Sequence, residues 1–540
     1  MMLYFIPAWY KENSWSENER TWYRPKQVSE FDDTVKQIQL FARNHVYEYA
    51  ILLLSFAPNF RHFLHRQGIY HAPYWSCFDA MQGVRTHKLV PFSFHDLGWP
   101  EGIRFVYTPF CVVAIRDSRK FAQIEFGENG NMIYVDLYQD DALVRRNLYD
   151  DRGFVSCSIL FRDGVPWCEQ YYDENGIWKF CRFLYDEHVE VNAKSRLYVL
   201  SWRGTDREIP YQKQRYRDIA EMIGEVTGEF LKLTGEEDLF TIAMHELHTA
   251  LLERLFIRRK CILSFFGQRR ELPKSEAARK MMDRAEYLVV SSGEDKEALE
   301  RQFGKTYPRM EVITPYDSRV EVGASQQLHV QNVLLTIDGV SEDLFQRQIL
   351  IMAAYMKKNP LVRTHLFTRR AAYNWPASVL EKIRAILKAG GFNPLWAREK
   401  TRDTAENEVD AQEEAPILFF VDQCVDEMEA NQCLRQQRLL VDLQPKPDLF
   451  LQIAAMSIGL PQITAEKTPY IEDGKNGRVL RQPWQLADWL PFYLESIANW
   501  NDAMIASYDL GSHFTAKRLK EQWKTIIDYV EHSGTTTGKN

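Results

Sequence analysis

The first 67 residues contain no glycine, since the first one in the chain is Gly68. This absence excludes a glycine-rich phosphate-binding loop after a strand near the N-terminus. The eight cysteines include no C-x-x-C pair, a spacing typical of zinc and redox motifs, and they indicate reduced thiols of a cytosolic protein. The apolar run YAILLLSFA at 49–57 is too short to span a bilayer, so any membrane contact is expected to be peripheral.

The chain also lacks a large excess of either charge, with 67 basic and 74 acidic residues. The 540 residues carry a net charge of -7, with 26% charged and 45% hydrophobic residues. This balance is typical of a soluble globular protein with two to four domains and argues against nucleic acid as a partner. The opening MMLYFIPAWY has no basic region and no cleavage site, so we expect no signal peptide.

Apolar runs alternate with helical patterns along most of the chain, which predicts an α/β fold. A strand over Leu3–Ala8, a helix from about Phe31 and the apolar run Ala50–Phe56 form a β-α-β opening typical of a Rossmann-like domain with buried parallel strands. Helices are predicted over Ile219–Leu233 and Glu237–Phe256. A second α/β domain is predicted from the apolar run Val333–Asp338.

Residues from about Arg104 to Trp202 have a different sequence pattern. Strand-like runs alternate with polar turns, and Gly130, Gly153 and Gly176 follow one another at 23-residue intervals. Either these are ordinary hairpins spaced by chance or, as we prefer, a repeated antiparallel meander inserted into the first domain. The predicted organisation is a split Rossmann-like domain (1–103 and 203–325), the inserted β-meander (104–202), a second Rossmann-like domain (326–498) with a disordered loop (398–415), C-terminal helices that cross back to the first domain (499–532) and a flexible tail (533–540).

The segment PDLFLQIAAMSIGLPQITAEKTPYIEDGKNGRVL, from Pro447 to Leu480, resembles the nucleotide-sugar site of retaining glycosyltransferases. In the class with two Rossmann domains (GT-B), this region often reads E-x7-E-A-M-A-x-G-x-P-V. Ala455, Met456, Gly459 and Pro461 match that frame. The resemblance therefore implies a GT-B-like fold.

The residues that would bind the donor sugar nucleotide are missing. Lys446 and Ala454 stand where the two glutamates of the frame are expected, and Glu342 and Asp343 lie where a basic pair usually follows the first strand of the second domain. A diphosphate needs cations and free amides, and a sugar needs carboxylates. With no early glycine loop either, we expect a pseudoenzyme with no catalytic residues, no cofactor and no metal.

Two other motifs were considered as catalytic or metal-binding sites, and neither is well supported by the sequence. His245 and His248 are separated by i+3, which does not match H-E-x-x-H, and no third ligand is evident. They either bind a metal or, as we prefer, form a structural pair. No G-x-S-x-G elbow is present, so a serine hydrolase is not indicated.

Two groups of side chains are candidates for binding. Trp9, Trp15 and Trp22 follow the first strand and either stack on a ligand or belong to the core under a long loop. A basic cluster either contacts anionic lipid or a partner, at about 1 kcal/mol per residue, or is a solvated helical face. Its predicted contact residues are Arg258, Arg259, Arg269 and Arg270.

The N-terminal motifs FIPAWY and FDDTVKQI, with the β-rich insertion and the defective donor frame, resemble the accessory Sec system protein family called Asp one. The resemblance spans the whole chain. It implies a cytosolic protein in a complex with two other accessory Asp proteins. The basic cluster leaves open a peripheral position at the inner face of the plasma membrane. The resemblance also implies work with the accessory SecA ATPase and SecY channel on a serine-rich-repeat glycoprotein adhesin.

The expected function is that of a non-catalytic glycosyltransferase-like protein that binds the adhesin and assists its delivery to the translocase. Two alternatives remain open at this point. One is an active but divergent retaining glycosyltransferase that modifies the adhesin with other carboxylates. The other is a peripheral membrane adaptor that acts through the basic cluster.

Overall fold

A computed structural model describes residues 1–11, 14–16, 20–23, 32–43, 47–267, 272–319, 323–370, 374–399 and 415–533. Within these ranges the chain forms two compact units. The first contains the residues before 24, those from 32 to 312 and those from 525 onward; the second contains residues 313–524. Most of the predicted loop 398–415 and all but the first residue of the predicted tail 533–540 lie outside the described residues.

The first unit contains two large sheets and seven helices that precede the second unit. Its strands are β1 (Leu3–Ile6), β2 (Tyr49–Leu53), β3 (Tyr74–Ser76), β4 (Arg104–Tyr107), β5 (Val112–Arg116), β6 (Arg119–Phe126), β7 (Met132–Gln139), β8 (Ala142–Tyr149), β9 (Val155–Arg162), β10 (Val165–Tyr172), β11 (Trp178–Phe183), β12 (Val189–Val191), β13 (Leu197–Trp202), β14 (Thr205–Pro210), β15 (Arg215–Tyr216), β16 (Leu239–Ala243), β17 (Lys260–Phe265), β18 (Tyr287–Val290) and β19 (Met310–Val312). Its helices are α1 (Asp33–Ala42), α2 (Phe60–Arg66), α3 (Cys77–Gln82), α4 (Ile219–Leu231), α5 (Glu246–Leu255), α6 (Glu276–Arg284) and α7 (Gly293–Phe303).

The Rossmann-like core of this unit is a parallel sheet with strand order β19-β18-β17-β16-β1-β2-β3. β1 lies in its middle, paired in parallel with β16 and β2. Every residue of β1 is buried, which explains why its sequence LYFI is apolar on both faces. Serine side chains cap two helices of this unit. Ser275 accepts a hydrogen bond from the amide of Ala278 at the start of α6, and Ser292 accepts one from the amide of Asp295 at the start of α7. These bonds satisfy amides that have no partner within the helix.

The inserted segment is an antiparallel sheet with strand order β15-β12-β11-β10-β9-β8-β7-β6-β5-β4. β13 and β14 form a separate hairpin, and the sheet extends to Tyr216. The glycines Gly130, Gly153 and Gly176 all adopt positive φ, at 74°, 92° and 78°. The turn geometry that the sequence indicated at these positions is therefore present.

The inserted sheet shares its core with the parallel sheet. Leu148, Tyr171 and Phe180 of the insert lie in the same buried cluster as Phe78 and Phe56, and the ring centroid of Tyr171 is 5.1 Å from that of Phe56. Because one hydrophobic core spans both sheets, we expect the inserted sheet to fold together with the parallel sheet and not as an independent domain.

A buried group of charges joins the same two parts. Arg152, in the turn between β8 and β9, pairs with Asp79 of α3 at 2.7 Å and with Asp150 at 2.6 Å. Arg61 of α2 pairs with Asp150 at 3.3 Å and also with Asp151. Three carboxylates thus share two guanidinium groups, and burial raises the pKa of Asp151 to about 7 although Arg61 and Arg152 lower it.

The second unit is a doubly wound parallel sheet with strand order β22-β21-β20-β23-β24-β25. Its strands are β20 (Gln331–Thr336), β21 (Val362–Thr368), β22 (Phe419–Gln423), β23 (Gln437–Asp442), β24 (Gln462–Thr464) and β25 (Gly477–Val479). The helices are α8 (Glu342–Lys358), α9 (Trp375–Ala389), α10 (Glu427–Arg435), α11 (Leu449–Ser457), α12 (Leu486–Leu494), α13 (Ile497–Gly511) and α14 (Ala516–Ser533).

The last helix is divided between the two units, and its residues from Thr525 onward belong to the first unit. There the ring of Tyr529 lies 5.9 Å from that of Tyr287, and the guanidinium carbon of Arg309 lies 5.5 Å from the Tyr529 ring centroid. Among the described residues, none of the helices combines the length and the apolar character that crossing a bilayer requires.

One predicted helix, over Glu237–Phe256, is wrong. Leu239–Ala243 is the strand β16, and the helix α5 starts only at Glu246 after its cap His245. The five residues LFTIA are buried on both sides of the sheet. Apolar periodicity does not separate such a strand from a buried turn of helix, which is the physical reason for the error.

Candidate functional site

The carboxyl edge of the second parallel sheet is where a doubly wound fold binds its ligands. Here this edge is lined by polar side chains that bond to one another. Asp338 follows β20 and accepts hydrogen bonds from the Thr368 hydroxyl at 2.8 Å and from the Arg369 amide at 2.7 Å, at the end of β21. The Asp338 carboxylate is thus already hydrogen-bonded to residues at the end of β21.

Asp448 caps the N-terminus of α11. One of its oxygens accepts a hydrogen bond from the Leu451 amide at 3.0 Å, and the other accepts one from Arg369 Nε at 2.5 Å. Burial disfavours the charge of Arg369, yet the Asp448 carboxylate raises the pKa of this guanidinium above its ordinary value. A helix N-terminus and an arginine are the groups that would bind a phosphate, and here a carboxylate of the chain itself accepts one hydrogen bond from each.

Asp442, the last residue of β23, is fully buried. Its carboxylate accepts hydrogen bonds from the Thr336 hydroxyl at 2.9 Å and from the Asp448 amide at 3.1 Å, and Gln452 Nε2 lies 3.3 Å away. Burial raises its pKa. Since the donors that surround Asp442 belong to the chain, this carboxylate is part of the internal network and does not face a ligand.

The two positions where the frame predicts glutamates lie on α11 and in the loop before it. Ala454 lies on α11 and is buried, while Lys446 lies in the exposed loop before it. The acids after β20 project into solvent, since the side chains of Glu342 and Asp343 are 78% and 83% exposed. Glu342 pairs with Lys382 at 2.6 Å. These acids make the start of α8 unfavourable for a diphosphate.

At the carboxyl edge of the parallel sheet in the first unit, two carboxylates also accept hydrogen bonds from groups of the chain itself. The amide of Thr34 donates to Asp32 Oδ1 at 2.9 Å at the start of α1, and Ser264 donates to Asp33 Oδ2 at 2.6 Å. Trp9 Nε1 donates to Asp32 Oδ1 at 3.1 Å. The N-terminus of α1 is therefore capped by carboxylates in the region where a transferase would place its glycine-rich loop.

Trp9 and Trp15, two of the predicted stacking residues, are buried. Trp9 borders a cavity of about 30 Å³ that is lined also by Leu53, Ser55 and Phe60, a space for about two water molecules at most. The backbone carbonyl of Trp15 accepts a hydrogen bond from the Phe56 amide at 2.8 Å. Both side chains thus belong to the core beneath this edge.

Trp22, the third predicted stacking residue, is 47% exposed. It lies on the inserted sheet, where Nε1 donates to the Phe110 carbonyl at 3.2 Å and the amide donates to the Phe126 carbonyl at 3.0 Å. Phe110 is 55% exposed and Tyr107 is 65% exposed. The exposure of Phe110 and Tyr107 was not predicted, because the sequence of an apolar run around a hairpin turn does not show which aromatic rings remain in solvent.

The histidine pair is structural. His245 Nδ1 accepts a hydrogen bond from the Leu247 amide at 3.1 Å as the cap of α5, and the Tyr10 hydroxyl lies 2.9 Å from His248 Nδ1. Burial lowers the pKa of His248 to about 3, helped by the proximity of His245, so His248 is neutral. Within the described ranges there is no group of three or more side chains that could hold a metal ion.

The basic cluster is only partly described. Arg269 and Arg270 lie outside the described residues, and Arg258 is exposed. The Arg259 guanidinium donates to the carbonyl of Gly235 at 2.9 Å and also to that of Leu231. Arg284, a further cation at the end of α6, pairs with Glu253 at 2.6 Å. Part of this surface is therefore used for contacts within the first unit.

Comparison with known proteins gives one family and one fold. Residues 2–529 match the family described as accessory Sec system protein Asp one. A protein of that description from Streptococcus gordonii is 30% identical over 538 residues, which cover 98% of this chain and 100% of that protein. A chain in the solved Glycosylation Associate Protein (Gap123) complex from Streptococcus agalactiae is 25% identical with a TM-score of 0.79, over 97% of this chain and 100% of that chain.

The pneumococcal O-GlcNAc transferase GtfA, solved in complex with UDP and GlcNAc, is similar in fold. The identity is 13% and the TM-score 0.67, over 98% of this chain and 99% of that chain. This likeness concerns the fold alone, and with it the predicted GT-B-like α/β fold is confirmed.

Proposed function

Because the chain belongs to the accessory Sec system protein family Asp one, as its N-terminal motifs predicted, we propose that it is a non-catalytic scaffold of this export system. In this proposal it binds the serine-rich-repeat glycoprotein adhesin in the cytoplasm and assists its delivery to the accessory SecA/SecY translocase. The scaffold has a glycosyltransferase-like fold without a working donor site.

One observation carries the proposal, namely the closed carboxyl edge of the second unit. The Asp448 carboxylate accepts hydrogen bonds from the α11 N-terminus and from Arg369, and Asp442 is buried in the same network. A sugar diphosphate would have to displace these charge-assisted bonds, and neither Lys446 nor Ala454 offers a carboxylate for its hydroxyl groups. Loss of donor chemistry at several points of one edge favours a scaffold over an enzyme.

The partners of the proposal are the two other accessory Asp proteins, accessory SecA and the adhesin. A similar chain is found in the Gap123 complex of Streptococcus agalactiae, which supports an assembly of this kind. The acceptor side of the fold supplies the surface for a long polypeptide. In this proposal the inserted sheet provides that surface, and it cannot be removed as a block, since it shares its core with the parallel sheet.

The proposal is tested with the complex of this chain and the two other accessory Asp proteins. The immobilised complex is expected to retain serine-rich-repeat polypeptide and to recruit accessory SecA to it. With radiolabelled UDP-GlcNAc present, no sugar is expected to enter the polypeptide, because the donor edge is closed.

The matched control is the pair of partner proteins without this chain. Equal retention of the polypeptide by the pair would remove the binding role. Incorporation of sugar that requires this chain would show a transferase and contradict the scaffold.

A further inference from the structure

Helix α13 of the second unit presents apolar side chains to solvent. Ile497 and Ile505 are 59% and 55% exposed, and they lie eight residues apart, about two turns along one side of the helix. Ala498, Asp502 and Asp509 are exposed on the same side. We call these five residues the outer face of α13. Isoleucine is a weaker helix former than alanine or lysine, so neither helix propensity nor solubility explains two isoleucines on a solvated face. Such exposed apolar side chains are typical of an interaction surface.

The opposite face holds α13 on the second unit. Trp500 Nε1 donates to the Arg438 carbonyl at 2.8 Å, and the Arg438 guanidinium carbon lies 3.9 Å from the Trp500 ring centroid. Asn499 Nδ2 donates to the Phe492 carbonyl at 3.0 Å, which joins the start of α13 to the end of α12. The buried side chains of α13 include Trp500, Ala503, Ser507 and Leu510. Since the helix is fixed, a partner that packs on its outer face costs little ordering entropy of this protein.

The outer face lies in an acidic part of the chain. Residues 482–516 contain no lysine and no arginine, but they contain four acids at seven-residue intervals, namely Asp488, Glu495, Asp502 and Asp509. Seven residues are about two helical turns, so Asp502 and Asp509 lie along one side of α13. Among the residues that the structure describes, neither of these two carboxylates has a cation as its partner. The charge of the outer face is therefore negative and unbalanced.

Asp509 lies where a helix tolerates a negative charge least. It is in the last turn of α13, which ends at Gly511, and the free carbonyls there carry the negative end of the helix dipole. Basic side chains are favoured in a last turn, yet α13 has none there. A cation supplied by a partner would neutralise both the carboxylate and the helix end. Apolar side chains flanked by unbalanced acids thus match a partner surface that is apolar and basic.

We propose that the outer face of α13 docks a cationic amphipathic helix of one of the two other accessory Asp proteins. In this arrangement the apolar side of that helix packs on Ile497 and Ile505, and its lysine or arginine side chains lie beside Asp502 and Asp509. Helices that dock in this way use apolar anchors for affinity and opposite charges for orientation. The inference rests on the proposed function, because it names the surface through which this chain joins its complex.

The test measures the affinity of this protein for the immobilised pair of the two other accessory Asp proteins. Ile505→Ser is expected to weaken binding about tenfold, as for the loss of one apolar anchor. The double variant with Asp502→Asn and Asp509→Asn is expected to weaken binding about tenfold at low salt. It is also expected to make the affinity less dependent on salt, because salt screens the exposed charge pairs that this variant lacks.

Two controls separate docking from folding. Ile257→Ser replaces an isoleucine of the first unit that is also 59% exposed, and it is expected to leave the affinity unchanged. Asp509→Asn alone removes a charge from the negative end of a helix dipole, so urea unfolding is expected to show a variant at least as stable as the unsubstituted protein. A loss of binding in that variant is then not a loss of structure.

The outcomes distinguish this inference from the proposed function. Unchanged affinity of both Ile505→Ser and the double asparagine variant would overturn the inference and leave the proposed complex intact. A loss confined to Ile505→Ser would also overturn it, because the docked helix would then not be cationic. A dimer of this protein alone, seen by light scattering and dissociated by Ile505→Ser, would assign the face to a second copy and overturn it as well. If the unsubstituted protein fails to bind the pair, both the inference and the proposed function are wrong.

Discussion

Replacing Arg152 by alanine is expected to lower the local free energy of unfolding of the inserted sheet by about 3–5 kcal/mol. Arg152 is 2% exposed and donates two hydrogen bonds to Asp79, at 2.9 and 2.7 Å, and two to Asp150, at 2.6 and 2.7 Å. The substitution leaves the buried carboxylate of Asp150 and the part-buried carboxylate of Asp79 with one guanidinium fewer. Uncompensated buried charge is costly because water cannot solvate it.

The effect is measured by hydrogen exchange of peptides from residues 142–162, which report the local opening of β8 and β9. Arg119→Ala is the matched control from the same sheet. Arg119 pairs with Asp140 at 2.9 Å, but the two side chains are 68% and 78% exposed, so its loss is expected to cost less than about 1 kcal/mol. Equal effects of the two substitutions would contradict the role of the buried charges in joining the two sheets.

Replacing Gly459 by alanine is expected to destabilise the second unit by about 2–4 kcal/mol, the sum of left-handed strain and overpacking. Gly459 has a φ of 72° after the end of α11, and an added Cβ would lie 2.6 Å from Met504 Cγ and 2.9 Å from Tyr508 Cζ. Both side chains belong to α13. The glycine is thus required for the backbone conformation and for the close approach of α13 to this turn.

Urea unfolding measures the change in stability, with Gly391→Ala as control. Gly391 has the same φ of 72°, but nothing lies within 4 Å of its added Cβ. The control is therefore expected to cost about 1–2 kcal/mol, from strain alone. A cost at Gly459 that does not exceed the cost at Gly391 would show that α13 does not pack closely against this position.

Local signals in the sequence predicted much of the fold. The buried run at β1 and the glycine turns of the inserted sheet depend on neighbouring residues, and the sequence shows these directly. β16 was mistaken for helix, because a short apolar run in the middle of a sheet has no period of its own. The predicted loss of donor chemistry also used local evidence, since the frame around Gly459 and Pro461 fixes the positions where the glutamates are missing.

The interactions that define the sites were not predictable in this way. Asp448 and Arg369 are 79 residues apart in the chain, and Trp22 and Phe110 are 88 residues apart. Such pairs are set by the tertiary fold, and periodicity carries no information about them. The sequence therefore predicted the loss of donor chemistry, while the contacts at the donor edge and the stacking of Trp22 on Phe110 required the structure.

The most direct test of the central claim is isothermal titration calorimetry of this protein with UDP-GlcNAc and with UDP. The transferase GtfA, which has the same fold and binds UDP and GlcNAc, serves as the positive control. Because the Asp448 carboxylate already bonds to the α11 N-terminus and to Arg369, no binding heat is expected at ligand concentrations up to about 1 mM. Micromolar binding of UDP-GlcNAc with release of UDP would contradict the account and show a working donor site.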